Sequence, residues 1–287
     1  MENTNNLSEN RLADAWAELG NYAGKAHLLE ADANRLAFAD PEFLLRRETR
    51  GIRFQLEMLK PELSQAQQGI EHTVVVFGSA RFCAPDVAQA ALLEAQQSDN
   101  PVALAQAQQQ VRNSERYEQA RLFAQRVAKD NAHTPQDQRF YICTGGGPGI
   151  MEAANRGAHD MGAPTVGLNI ALPHEQHANP YVTPSLSFKF HYFAMRKMHF
   201  MMRAKALVAF PGGFGTLDEL FEVVTLVQTK KAQPVPIVLF GSDYWKRLLN
   251  VDVLLEEGVV SKEDLQYLSY VDDPQAAWDV IKNFYDL

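Results

Sequence analysis

The sequence predicts an α/β fold: a doubly wound, mostly parallel sheet with helices on both faces and an N-terminal helical extension. Three observations lead there. Short apolar, β-branched runs without polar alternation recur along the chain, as strands buried on both faces require. A helical pattern follows each of them at the spacing of βαβ units. Two glycine-rich segments, 145–149 and 212–215, each stand between such a run and such a helix.

The elements follow in order. Asp40 and Pro41 form an N-cap with proline at the first helical position. Leu45, Ile52, Leu56, Leu59 and Leu63 then recur at helical spacing. Residues 8–38 are rich in alanine and leucine and predict another helix or two. No Gly/Ser linker follows, so residues 1–68 are expected to be a helical extension packed on a main domain of residues 69–287. Arg46, Arg47, Arg50 and Arg53 read as a solvated face. The first strand is 73–77, ending at Gly78-Ser79-Ala80-Arg81. Residues 84–113, dominated by Ala and Gln, read as a helical or mobile insertion without chemistry. An amphipathic helix is expected over 114–130.

The alternation continues with a strand at 140–143, the first glycine loop and a helix closing at Gly162. A strand at 165–170 leads into a long loop with Leu172-Pro173-His174-Glu175-Gln176. A weak strand at 186–190 and a helix from about Tyr192 to about Ala204 come next. The strand 206–210, the second glycine loop and a helix to about Gln228 follow, then a strand at 236–240. Three last helices are capped by Ser242 or Asp243, by Ser261 and by Asp273-Pro274. Right-handed crossovers put every strand-to-helix loop on one sheet edge, where ligands bind.

Composition removes several functional classes. Of 287 residues, 27 are Lys or Arg and 35 are Asp or Glu, a net charge of -8. Nonspecific nucleic-acid binding needs a basic face, so no nucleic-acid partner is expected. Cys83 and Cys143 are too few for a disulfide framework or a structural zinc site. They read as reduced thiols of a cytoplasmic protein. The first ten residues are polar, with no secretory h-region. No run of about 18 apolar residues predicts a membrane span.

The glycine loops carry the chemistry. Glycine lets the backbone approach a ligand, and the helix N-terminus behind it offers free N–H groups to an anion. Two such loops on one edge describe a phosphate cradle, with Thr216 as N-cap and hydroxyl donor. No Gly-Lys-Ser/Thr follows either loop, and neither fits G-x-G-x-x-G. ATP hydrolysis, NAD and FAD lose support, and a mononucleotide or sugar phosphate remains. Arg196, His199 and Arg203 fall on one helical face. Asp218 and Glu219 are expected in the first turn after the second glycine loop, where a carboxylate also complements the helix dipole. His174-Glu175-Gln176-His177 lacks the ligand spacing of H-E-x-x-H, so no metal is expected. His191 and His199 read as packing or hydrogen-bonding residues. Met195, Met198, Met201 and Met202 read as core or subunit interface.

Taken together, 145–153 (Gly-Gly-Gly-Pro-Gly-Ile-Met-Glu-Ala), Met195-Arg196-Lys197 and 211–219 (Pro-Gly-Gly-Phe-Gly-Thr-Leu-Asp-Glu) resemble the LOG family. These are the cytokinin riboside 5′-monophosphate phosphoribohydrolases, often mislabelled lysine decarboxylases. The resemblance spans roughly residues 72–240 and includes the full PGGxGTxxE pattern. Gly78-Ser79-Ala80-Arg81 and the loop 172–181 resemble a longer bacterial subgroup. The helical extension and residues 84–113 depart from the short plant-type members.

The resemblance implies a Rossmann-like fold and hydrolysis of the N-glycosidic bond of a nucleoside 5′-monophosphate. AMP or a cytokinin ribotide would give free base and ribose 5-phosphate. It implies no cofactor, and a homodimer or larger homo-oligomer. Residue by residue, it assigns catalysis to Arg196 and Glu219. The phosphate falls to Gly212, Gly213, Gly215 and Thr216, helped by Ser79 and Arg81, and the ribose to Gly146 and Gly147. Glu175, Met195 and Lys197 are further candidates for the base or ribose hydroxyls. The alternative is a nucleotide or molybdenum-cofactor carrier on the same scaffold.

Overall fold

A computed structural model describes residues 36–172 and 177–287. The helices expected over 8–38 and the candidate Glu175 therefore lie almost wholly outside the described residues. Contacts divide the chain into two compact units, Met1–Leu59 and Lys60–Leu287.

In the first unit, α1 (Pro41–Leu45) opens on Asp40, whose side chain accepts from Phe43 N–H at 3.1 Å. The link to α2 (Arg50–Gln67) is closed by buried Thr49, which donates to the carbonyls of Phe43, Leu44 and Arg46 at 2.9 Å each. Arg53 leaves the solvated face expected of it. Its guanidinium turns back onto the carbonyls of Leu44 and Arg46, which the break between the helices leaves without helical partners.

The second unit is built on a seven-stranded sheet in which every pairing is parallel. Its strands are β1 (His72–Phe77), β2 (Phe140–Thr144), β3 (Thr165–Ile170), β4 (Ser187–Phe190), β5 (Ala204–Ala209), β6 (Ile237–Phe240) and β7 (Leu268–Val271). The order is β4-β3-β2-β1-β5-β6-β7. The chain winds outward from β1 to β4, returns to the centre and winds outward again from β5 to β7. The reversal lies between β1 and β5, where the loops leaving the strands diverge and open a crevice.

The helices are α3 (Pro85–Gln96), α4 (Pro101–Asn131), α5 (Ile150–Asp160), α6 (Phe193–Met202), α7 (Phe214–Gln228), α8 (Ser242–Leu248), α9 (Val251–Glu256) and α10 (Pro274–Phe284). Alternate residues of β1 face opposite layers. Val74 and Val76 pack with Phe123 and Val127 of α4, Ile150 of α5 and Trp278 of α10. Val75 and Phe77 face α6 and α7, with the rings of Phe77 and Phe200 edge to face at 4.8 Å.

Several boundaries differ from expectation for local reasons. Helix α4 begins at Pro101, well before 114, because Asn100 caps it by accepting from the N–H groups of Val102 and Ala103. Much of 84–113 is therefore regular helix, in α3 and the first part of α4. Gly241, at φ 91°, precedes α8 in place of a capping Ser242 or Asp243 side chain. Strand β7 has no forecast: a four-residue stretch with a central serine gives too short a pattern to read.

Helices α4 and α5 pack in close contact at Gly157. A methyl group there would strike the Arg121 carbonyl oxygen and come within 2.8 Å of the Ala124 Cβ. Alanine is the better helix former by about 1 kcal/mol, yet the backbone has no room for it. Gly157→Ala is expected to lower unfolding stability by about 1–3 kcal/mol, read from urea melts. A neutral or stabilised variant would show that the two helices separate freely.

Candidate active site

The first glycine loop is held from behind by a buried amide network. Gly146 turns with φ 68°, a conformation that favours glycine. Its N–H donates to Thr144 Oγ1 at 2.9 Å, and that hydroxyl donates to Asn155 Oδ1 at 2.7 Å. Asn179 Nδ2 donates to the Gly147 carbonyl at 3.0 Å and to Asn155 Oδ1 at 2.9 Å. The Asn179 backbone N–H reaches the Gly146 carbonyl at 2.8 Å. Asn169, with its amide oriented to donate, reaches the carbonyls of Gly145 and Gly146 at 3.2 and 3.3 Å. Gly146 and Gly147 are buried by this network.

The second glycine loop is open. A methyl group on Gly213 or Gly215 would meet nothing within 4 Å. Gly213 stands at the N-cap of α7 and no side chain caps the helix. The first-turn N–H groups of Phe214, Gly215 and Thr216 therefore have no helical partner, as at helix N-termini that can hold an anion. Thr216 is not the N-cap expected of it. It lies inside the helix, buried, with its hydroxyl packed so closely on Gly212 that a side chain there would collide with it. Tyr244 OH donates to the Gly212 carbonyl at 2.5 Å and fixes that loop from the far side.

The loop after β1 joins the two. Ser79 N–H donates to the Pro211 carbonyl at 3.0 Å, and the Ser79 carbonyl accepts from Ile150 N–H at 3.1 Å. A side chain on Gly149 would collide with that same Ser79 oxygen. Arg81 is exposed at the lip, its N–H donating to Ser79 Oγ at 3.1 Å.

Beside this edge lies a buried ion pair. Arg196, on α6, donates from Nε to the Leu168 carbonyl at 2.7 Å, and its guanidinium sits 5.0 Å over the Phe200 ring. Its Nη1 is 3.5 Å from Glu219 Oε1, and the two side chains are only 11% and 9% exposed. A methyl group on Gly145 would come within 2.6 Å of Arg196 Nη2, so the first glycine loop borders the pair. Burial disfavours both charges. It pushes the Glu219 carboxyl up to about 7, outweighing the pull of Arg196 and Lys197, and it lowers the Arg196 guanidinium. The result is a carboxyl poised to exchange a proton near neutrality beside a fixed cation.

Other expectations shift. Glu219 and Asp218 stand in the second turn of α7, because the helix already begins at Phe214; the helix dipole does not account for them. Arg196, His199 and Arg203 do not act from one face. Arg203 follows the end of α6 and pairs with Glu62 at 3.1 Å and Glu71 at 3.4 Å. His199 is buried with Nδ1 3.9 Å from Glu62. Lys197 is held by Asp218 at 2.8 Å and Glu222 at 3.1 Å, and Met195 is buried. Met198 and Met202 are exposed. Cys143 is buried, and burial pushes its thiol up, away from nucleophilic use. Among the described residues, no cluster of three His, Cys, Asp or Glu can hold a metal, and no helix is long and apolar enough to cross a membrane.

Sequence reasoning did not find Asn155, Asn169 or Tyr244, and gave Asn179, inside the loop 172–181, no role. The available signal was polarity out of place: Asn169 interrupts an apolar strand and Asn155 an alanine-rich helix.

A family model described as "Possible lysine decarboxylase" matches residues 151–281. A probable cytokinin riboside 5′-monophosphate phosphoribohydrolase of Oryza sativa, LOGL5, is 32% identical over 120 residues, 41% of this chain and 48% of that protein. The Arabidopsis thaliana enzyme of that name, LOG3, is 31% identical over 121 residues, 41% of this chain and 54% of that protein. The chain thus spans about half the length of the curated relatives it matches. Among solved structures, the structural-genomics target TM1055 aligns at 21% identity with a TM-score of 0.48, over 74% of this chain and 99% of that chain. In its motif segments and in its curated relatives, the chain is similar to the LOG family of cytokinin riboside 5′-monophosphate phosphoribohydrolases.

Proposed function

We propose that this protein hydrolyses the N-glycosidic bond of a nucleoside 5′-monophosphate to free base and ribose 5-phosphate. One observation carries the reading: a buried carboxyl raised to about 7, paired with arginine, beside an uncapped helix N-terminus on the same sheet edge. The names of the curated relatives support the reaction class. The phosphate lies on the first-turn N–H groups of α7, leaving the sugar to reach Glu219. As the C1′–N bond breaks, its electron pair leaves with the base and positive charge grows on the sugar. Ionised Glu219 stabilises that charge and orients the attacking water. The water's hydroxyl ends on C1′ and its proton on the base. Arg196 donates hydrogen bonds to the electron-rich base while keeping its own proton. A carrier would use the cradle but has no use for such a carboxyl, and nothing observed favours that reading.

Self-association belongs to the proposal, because Met198, Met202, Phe214 and Phe221 expose apolar surface on α6 and α7. The first experiment incubates the protein with AMP, GMP, CMP and a cytokinin ribotide, followed by chromatography for free base. Absence of release from all four would refute the activity.

Glu219→Gln and Arg196→Ala should each lower kcat by about a hundredfold or more, with Glu219→Gln still binding nucleotide. Near wild-type turnover in either would remove that residue from catalysis. In the wild type, kcat/KM should rise with pH and level off above about 7, as Glu219 ionises. A flat profile through this range would show that no ionisation of Glu219 near 7 governs the reaction. Folding gives an independent check. Between the ordinary carboxyl value of 4.5 and about 7, the folded state keeps a proton that the unfolded chain has released. Stability therefore falls as pH rises through this window. Glu219→Gln should melt a few degrees above wild type at pH 8 and level with it at pH 4; an equal Tm at both would contradict the burial cost.

A further inference from the structure

Residues 84–113, expected to lack chemistry, wall an open cleft of about 790 Å³ between α3 and α4. Ser79 and Arg81 of the β1 loop also line it. Ser79 is the residue bound to Pro211 at the start of the phosphate loop, so the cavity and the cradle share one wall.

The α4 wall has a distinct chemistry. Gln106, Gln109, Gln110 and Asn113 all line the cavity, and their i, i+3, i+4, i+7 spacing makes them one stripe along the helix. Gln110 fixes the stripe against the β1 loop: its Nε2 donates to the Arg81 carbonyl at 3.0 Å, and its Oε1 accepts from Cys83 Sγ at 3.8 Å. Ala103 and Ala107, small side chains on the same helix, also line the cleft. A carboxamide presents a donor and an acceptor side by side. That pattern complements the edge of a nucleobase, as Asn and Gln complement the amino group and ring nitrogen of adenine. An anion would leave the amide oxygens opposed, and an alkyl chain would strip water from the amides without replacing its hydrogen bonds.

We propose that the α3–α4 cleft receives the base of the substrate, with Gln106, Gln109 and Asn113 selecting an unmodified purine over one with a bulky apolar N6 substituent. The proposal rests on the glycosidase reading and adds the determinant of base preference. On this assignment the base keeps the edge nearest C1′ toward Arg196 and turns its far edge past Ser79 and Arg81 into the cleft.

The test compares AMP with N6-isopentenyl-AMP as substrates, and ribose 5-phosphate as an inhibitor that lacks a base. Wild-type protein should favour AMP at least tenfold in kcat/KM. The double variant Gln109→Leu/Asn113→Leu should raise KM for AMP about tenfold and narrow that preference, with Ki for ribose 5-phosphate unchanged. Ala103→Phe, which fills the cleft without removing an amide, should raise KM for both nucleotides and also spare ribose 5-phosphate. An unchanged preference in the double variant, or a parallel rise in Ki for ribose 5-phosphate, overturns the assignment. Should the wild type release no base, the glycosidase reading fails. Calorimetry with AMP then decides the cleft: affinity reduced about tenfold in both variants supports it, and unchanged affinity overturns it.

Discussion

Two hydrogen bonds of the Ser79 backbone hold the candidate site together. The N–H reaches the second glycine loop at Pro211 and the carbonyl takes the first N–H beyond the other loop, at Ile150. Neither glycine loop touches the other in sequence. Each meets the same residue because β1 lies between β2 and β5, and all three strands end on one edge. The constraint explains which glycines are required by the protein. Gly149 has no room for a side chain against Ser79, and Gly212 has none against Thr216. Gly213 and Gly215 meet no such obstacle.

The Arg196–Glu219 pair costs stability. Removing both groups from water is repaid only in part by a single 3.5 Å contact. The protein fixes the arginine more firmly than the acid: Arg196 has a carbonyl partner at 2.7 Å and an aromatic ring beneath it. The cation is thus a rigid element of the site, and the carboxyl is the group whose charge changes near neutrality. A tighter bidentate pair would hold Glu219 ionised and spend its oxygens on the arginine.

The two glycine loops are built on different principles. One is buried and braced by Thr144, Asn155, Asn169 and Asn179; the other is exposed and left uncapped. Bracing suits a wall that must keep its shape beside the ion pair. Exposure leaves the first-turn N–H groups of α7 accessible. The α3–α4 hairpin borders a cleft lined by the α4 amides and by Ala91, Glu94 and Ala95 of α3, which meets the Ser79–Arg81 turn.

Strand runs such as Val74-Val75-Val76, the glycine loops and the Asp40 and Asp273 caps were legible in the chain because each depends on neighbours a few residues away. Pattern alone also implied the parallel sheet and its shared edge. Cap geometry at Asn100, the short β7 and the second-turn position of Glu219 escaped that reading, since each turns on where a helix or strand starts within a few residues. The brace of Asn155, Asn169 and Asn179, the cleft behind Arg81 and the raised carboxyl of Glu219 lay further out of reach. Desolvation is a property of what surrounds a group in space. Phe77, Phe200 and Val223 line the buried space beside Glu219 from three separate elements, and no local stretch of residues records that they meet.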